Sequence, residues 1–214
     1  MKLECVIFDI DGTMADTLDL CVMAFQESFK KELGKSYDKA EIFQHFNVAE
    51  GGIVAKFASR EQYPQTLETY YRELEILHHQ KDVVMPGIRE LLQDIQSRNI
   101  FMAVVTGKGK RSAELTLQEM GLRKYFSIIE SGSDDAPDKT IGLGRILNQM
   151  RIDPKQAVYV GDIESDIQSA LRVGMWAAGA VWAPTATLYK NGWGEKVALF
   201  HSVSDFHHWL LERI

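Results

Sequence analysis

The sequence predicts an α/β fold: a Rossmann-like, doubly wound, mainly parallel sheet with an all-helical cap inserted after its first strand. Three patterns carry that expectation. The opening apolar run "CVIF", residues 5–8, is uninterrupted, as a strand covered on both faces should be. From residue 86 onward short apolar runs alternate with helix-period segments, the order that builds a parallel sheet between two helical layers. Residues 14 to about 83 show helical spacing alone.

After the first strand, Leu18, Val22, Phe25, Phe29 and Leu33 lie on one helical face that ends before Gly34. "KAEIFQHF" and "GGIVAKFA" supply two shorter helices, and Leu67, Tyr70, Tyr71, Leu74 and Leu77 mark a long one. "MPG" at 85–87 marks the return to the core. "GIRELLQDIQSRN" then places Ile88, Leu91, Leu92 and Ile95 on one face, and "IFMAVVTG" reads as a strand. "SAELTLQEMG" is a helix closed by Gly121, and "YFSIIE", "IGLGRILNQM", "AVYVGD", "ESDIQSALRVG" and "MWAAGAV" continue the alternation. The expected division is a core of residues 1–15 and 84–214 and a cap of residues 16–83.

At 214 residues the chain can bury a sizeable core, and 45% hydrophobic with 25% charged residues is an ordinary globular balance. A net charge of −6 argues against nucleic acid as a partner. The N-terminus has neither the apolar stretch nor the cleavage site of a signal peptide, and no segment approaches the length of a membrane span, so the reading is cytoplasmic. Cys5 and Cys21 fit as unpaired buried thiols. Oligomeric state is not legible.

In doubly wound sheets ligands bind beyond the carboxyl ends of the strands. Polar residues gather at those ends here. The first strand delivers Asp9 and Asp11, the second Thr106 and Gly107, and a later one Asp162, with Asp166 four residues on; Lys139 lies near a helix start. Carboxylates crowded beside an apolar core repel unless a cation joins them, and Mg²⁺ suits hard oxygen ligands while leaving positions for phosphate oxygens. Asp9, Asp11 and Asp162 with Mg²⁺ therefore imply a small phosphorylated metabolite as substrate. Thr106, the Gly107 N–H and Lys139 are suitable donors to its phosphoryl oxygens.

These residues match a known pattern. "DIDGT", "VVTGK" and "GDIESD" resemble the first, second and fourth motifs of the haloacid dehalogenase superfamily, in its phosphoglycolate-phosphatase-like branch with a small helical cap. The third motif, a lysine usually followed by proline, is degraded to "SDDAPDKT", where Lys139 is the candidate. The resemblance implies that Asp9 attacks phosphorus and that Asp11 protonates the leaving oxygen and later activates water. It also implies that the Asp9 carboxylate, the Asp11 carbonyl and Asp162 hold Mg²⁺ with Asp166 in support. Asp11 favours phosphoryl transfer over dehalogenation, because a halide leaves without a proton.

Other features read more plainly. "TGKGKRS" lacks the spacing of a P-loop, so Lys108, Lys110 and Arg111 are expected to solvate a helix start, close enough to Thr106 to steer an anion. His78-His79 and His207-His208 point to different helix sides and make poor metal sites. Phe25, Phe29, Tyr70 and Tyr71 read as core of the cap. Glu50, Gly51 and Gly52 are expected to form a mobile substrate-facing loop. The reaction read from the whole is Mg²⁺-dependent hydrolysis of a phosphomonoester such as phosphoglycolate, a sugar phosphate or a nucleotide, through an aspartyl-phosphate. A phosphomutase, a pyrophosphatase and a catalytically silent binding protein of the same fold are the alternatives. Mutases of the family carry Glu-Asp where this chain has Gly161-Asp162.

Overall fold

The structure is a computed structural model that describes residues 2–135, 138–188 and 193–214. Six strands form one sheet, all parallel: β1 (Cys5–Phe8), β2 (Phe101–Val105), β3 (Ile128–Glu130), β4 (Ala157–Gly161), β5 (Trp176–Ala180) and β6 (Val197–Phe200). The spatial order is β3-β2-β1-β4-β5-β6. The order reverses direction between β1 and β4, which is where a doubly wound sheet opens a binding crevice.

The register explains why β1 is apolar throughout. Val6 and Phe8 join the core on one face of the sheet, with Ile88, Leu91, Leu117 and Phe206. Cys5 and Ile7 join the core on the other, with Leu143, Ile146 and Ile167. The first layer is built by α5 (Ile88–Ser97), α6 (Lys110–Glu119) and α9 (Val203–Leu211), and the second by α7 (Lys139–Met150) and α8 (Glu164–Arg172). Burying one large apolar side chain contributes about 1.5–3 kcal/mol, so both layers are strongly held.

Between β1 and α5 the described residues form helices and no strand of the sheet: α1 (Leu18–Leu33), α2 (Lys39–Phe43), α3 (Glu50–Phe57) and α4 (Tyr63–Gln80). α1 stops at Gly34 in the left-handed conformation, whose N–H closes on Phe29 O. α2 starts in a capping box, Asp38 accepting from Glu41 N–H and Glu41 from Asp38 N–H. Phe25, Phe29 and Tyr70 are buried between α1 and α4, as the sequence predicts. The outgoing and returning chain lie side by side: Asp16 N–H donates to Val83 O at 2.9 Å and Met85 N–H to Met14 O at 2.9 Å. No helix among the described residues is long and apolar enough to cross a membrane.

β6 and α9 were not expected from the sequence. "VALF" is a half-buried edge strand, too short and too weakly patterned to stand out from its surroundings.

Candidate active site

Each strand end reaches the crevice because the ladder runs to its last residue. Asp9 N–H donates to Val160 O at 2.9 Å, which ties the residue after β1 to β4. Asp9 and Asp162, at the ends of β1 and β4, thereby flank the point where the strand order reverses. Asp166 follows in the first turn of α8. The three are buried, and an oxygen from each lies within 4.8 Å of the others. Gly12 makes room for this: its φ is +70°, and a Cβ there would fall 2.1 Å from an Asp162 carboxylate oxygen.

Lys139 is the first residue of α7, whose start is capped by Asp138 accepting from Thr140 N–H at 2.9 Å. Its Nζ lies 2.6 Å from Asp9 Oδ2 and 2.6 Å from Asp166 Oδ1. Asp166 is further held by Ile163 N–H at 3.3 Å, and the Tyr159 hydroxyl, which donates to Val105 O, lies 3.4 Å from it. Burial pushes the Asp9 carboxyl up to about 6 against the pull of Lys139. Burial, reinforced by the charge of Asp9, pushes Asp162 up to about 8.

Asp11 turns away from this group. Its Oδ1 accepts from the Thr17 hydroxyl and lies 3.2 Å from Lys108 Nζ. Thr17 precedes α1, yet its side chain makes no cap bond to the helix because it is spent on Asp11. Lys108 corrects the sequence reading. It does not solvate a helix start but is buried, with Nζ also 3.0 Å from Cys21 Sγ. Burial opposes its charge, and Asp11, Cys21 and Glu50 overcome that and hold its value above the ordinary lysine range. The signal was present in part, since two aspartates in a buried strand end call for more than one cation. Lys110 is exposed on α6, and Arg111 pairs with Glu68 of α4 and stacks over Tyr71, its guanidinium 4.3 Å from the ring centre.

Glu50, Gly51 and Gly52 are not a loop, as expected, but the buried first turn of α3. Glu50 Oε2 accepts from Gly109 N–H at 2.7 Å, Gly52 N–H donates to Asp134 Oδ1 at 3.0 Å, and Ala49 N–H donates to Ser133 O at 3.0 Å. The two glycines are there because the loop after β3 presses onto the helix. A Cβ on Gly51 would lie 2.4 Å from Asp134 Oδ2, and one on Gly52 2.5 Å from Asp134 O.

Asp9, Asp11, Asp162, Lys108 and Lys139 all face one cavity of about 570 Å³ between the strand ends and α1–α4. Gly107 and Glu50 line it too. Thr106 is buried beside it and lines a neighbouring pocket with Lys139, its hydroxyl accepting from Lys108 N–H at 3.3 Å. The donor set fits a hard divalent cation: Asp9 and Asp162 are adjacent buried carboxyls, each pushed upward by burial and by its acidic neighbours, and both supply oxygen. The Asp11 carboxylate stands outside that cluster, which leaves only its main-chain oxygen for the role the resemblance gives it. Elsewhere, His79 pairs with Glu119 at 2.8 Å on the surface, and Cys5 and Cys21 are free and buried.

The family model of the haloacid dehalogenase-like hydrolases matches residues 6–180. The chain belongs to that family, and it is a phosphatase of it. The phosphoglycolate phosphatase of Synechococcus elongatus is 26% identical over 213 residues, 98% of this chain and 93% of its own. The pyrophosphatase PpaX of Oceanobacillus iheyensis is 28% identical over 193 residues, 88% of each chain. Among solved structures, CbbY from Rhodobacter sphaeroides in complex with phosphate shares the fold, with a TM-score of 0.77 at 22% identity over 94% of each chain.

Proposed function

We propose that this phosphatase is Mg²⁺-dependent, acts on a small organic phosphomonoester and proceeds through an aspartyl-phosphate on Asp9. One observation carries the reading: Asp9, Asp162 and Asp166 offer oxygens within 4.8 Å of one another, Asp9 and Asp162 face the same cavity as Asp11, and Lys139 pairs with Asp9 and Lys108 with Asp11.

An Asp9 carboxylate oxygen attacks phosphorus while the bond from phosphorus to the leaving oxygen breaks. Asp11 gives its proton to that oxygen, and the alcohol departs. Asp11, now a carboxylate, takes a proton from water as the water oxygen attacks the aspartyl-phosphate. The bond from phosphorus to Asp9 breaks, and phosphate leaves. Thr17 and Lys108 orient Asp11 for both transfers. Lys139 and the Gly107 N–H bind phosphoryl oxygens, with Thr106 in support. Asp9, Asp162 and the Asp11 carbonyl would hold Mg²⁺, and Asp166 steadies Lys139. Bound there, the cation would neutralise the facing carboxylates and polarise the phosphoryl group.

Residues 16–83 act in this reading as a cap on a core of 1–15 and 84–214. The paired strands of chain at Asp16–Val83 and Met14–Met85 support it as the hinge. Free thiols fit a reducing compartment such as the cytoplasm. A mutase-type glutamate at 161 has no room, because a Cβ on Gly161 would lie 2.4 Å from Asp166 Oδ2. The test is phosphate release with Mg²⁺ across a panel of phosphoesters. Wild type should exceed Asp9→Asn by about 10³-fold or more; equal rates would leave the fold without the reaction.

A further inference from the structure

The cavity that receives the leaving group is apolar and aromatic where it departs from the reacting carboxylates. Its wall is a run of rings. Tyr70 stacks on Phe25 at 4.1 Å, Phe25 meets Phe46 at 6.0 Å, and Phe46 meets Phe43 at 5.1 Å. The run climbs from full burial at Tyr70 and Phe25, each 1% exposed, to Phe43 at the mouth, 46% exposed. Val48 and Ile53 line the same wall. An apolar body would gain by covering the part of this wall still open to water, chiefly Phe43 and Phe46, while Asn47, Thr185 and Thr187 line other parts of the cavity.

Charge points the same way. Among the described residues lining the cavity the cations are Lys108 and Lys139, and both are engaged. Lys139 lies between Asp9 and Asp166, and Lys108 faces Asp11 beside Glu50. A helix N-terminus could have received a second anion, but that of α3 is taken by Asp134 through Gly52 N–H. Glu50, buried in the same turn and accepting from Gly109 N–H, puts an acidic side chain on the cavity wall instead. A substrate with an anionic leaving group would meet that carboxyl with no spare cation among these residues.

Resting on the proposed phosphatase reading, we infer that the preferred substrates are monophosphate esters of uncharged alcohols with a flat, apolar body. Phosphates that carry a second anion, such as phosphoglycolate and pyrophosphate, are selected against. Selectivity comes from the ring wall and from Glu50, in a cavity whose two lysines are already paired.

The test compares 2-phenylethyl phosphate, 2-hydroxyethyl phosphate, phosphoglycolate, pyrophosphate and acetyl phosphate under Mg²⁺. 2-Hydroxyethyl phosphate matches phosphoglycolate in size and lacks its carboxylate. The expected kcat/KM for the phenylethyl ester exceeds that for phosphoglycolate by about 100-fold, with the hydroxyethyl ester between them. Glu50→Gln should narrow the gap between the hydroxyethyl ester and phosphoglycolate. Phe46→Ala should lower the preference for phenylethyl over hydroxyethyl about 10-fold. Calorimetric binding to Asp9→Asn reads the same order without turnover. Phosphoglycolate or pyrophosphate turned over or bound better than the neutral esters would overturn the inference and leave the phosphatase intact. If wild type releases phosphate from none of the five, acetyl phosphate included, above the Asp9→Asn level, the proposed reaction fails. The binding order then decides the ligand class on its own.

Discussion

Replacing Asp162 by asparagine should stabilise the metal-free protein while abolishing its response to Mg²⁺. The folded protein holds the Asp9 and Asp162 carboxyls at about 6 and about 8, against 3.8 for a free aspartate. Raised values mean that the folded state binds more protons than the unfolded one, so stability is lost as pH rises from about 4 through those two values. Between pH 5.5 and 8 the loss from Asp162 is about 3 kcal/mol and from Asp9 about 1 kcal/mol, each an upper figure. For a chain of 214 residues a total of about 4 kcal/mol corresponds to a fall in Tm of roughly 8–16 °C. In the proposed site Mg²⁺ would bind the ionised carboxyls, so at fixed concentration it should restore more stability at pH 8 than at pH 5.5; one hundred times its Kd contributes about 2.7 kcal/mol. Thermal unfolding with EDTA and with Mg²⁺ at the two pH values measures both effects. An Asp162→Asn protein that melts below wild type in EDTA at pH 8, or that still gains from Mg²⁺, would refute the reasoning.

Three further perturbations separate the parts of the site. Lys108→Met leaves the half-buried Asp11 carboxyl without its cation and should cost about 1–3 kcal/mol in denaturant unfolding, together with a loss of kcat. The buried His78 has no partner for its Nε2 among the described residues, and burial lowers its value from 6.5 to about 4. Its folded form therefore binds fewer protons, and up to about 3 kcal/mol should be lost as pH falls from 6.5 to 4. His78→Leu should remove that acid loss in urea titrations at the two pH values. Gly52→Ala drives a Cβ to 2.5 Å from Asp134 O and should part α3 from the loop after β3. A 10–100-fold fall in kcat/KM and faster hydrogen exchange at Gly109 N–H are expected.

Much of this was legible in the sequence, for a physical reason. A strand covered on both faces must be apolar throughout, and the helices of both layers carry an apolar stripe, so "CVIF", "FMAVV" and the helical periodicities declare themselves. Asp9, Asp11 and Asp162 stood out because acids are rare at the end of such strands. What escaped depended on contacts between distant residues. Lys108 reads as one of three surface cations until Cys21, 87 positions away, and Asp11 are folded around it. Gly51-Gly52 reads as a flexible loop until the close approach of Asp134 shows why a helix starts with two glycines. β6 sits at the sheet edge, half-buried, where neither period nor burial leaves a clear mark.

Asp9 and Asp11, separated only by Ile10, take their partners from different parts of the molecule. Asp9 is bound into the β1–β4 ladder and pairs with Lys139 of α7, which packs on the sheet. Asp11 takes its hydrogen bond from Thr17, which directly precedes α1, and its cation from Lys108, whose ammonium also meets Cys21 on α1. In the proposed mechanism the nucleophile is thus fixed by the sheet, whereas the acid and base is set partly by the helical segment. Movement of that segment would leave Asp9 in line and change what surrounds Asp11. Proton transfer is then best supported when the contacts of Glu50 with Gly109 and of Gly52 with Asp134 are closed. Substrate enclosure and acid catalysis would be coupled through the same few residues, which is why loss of the latch at Gly52 should lower kcat as well as raise KM.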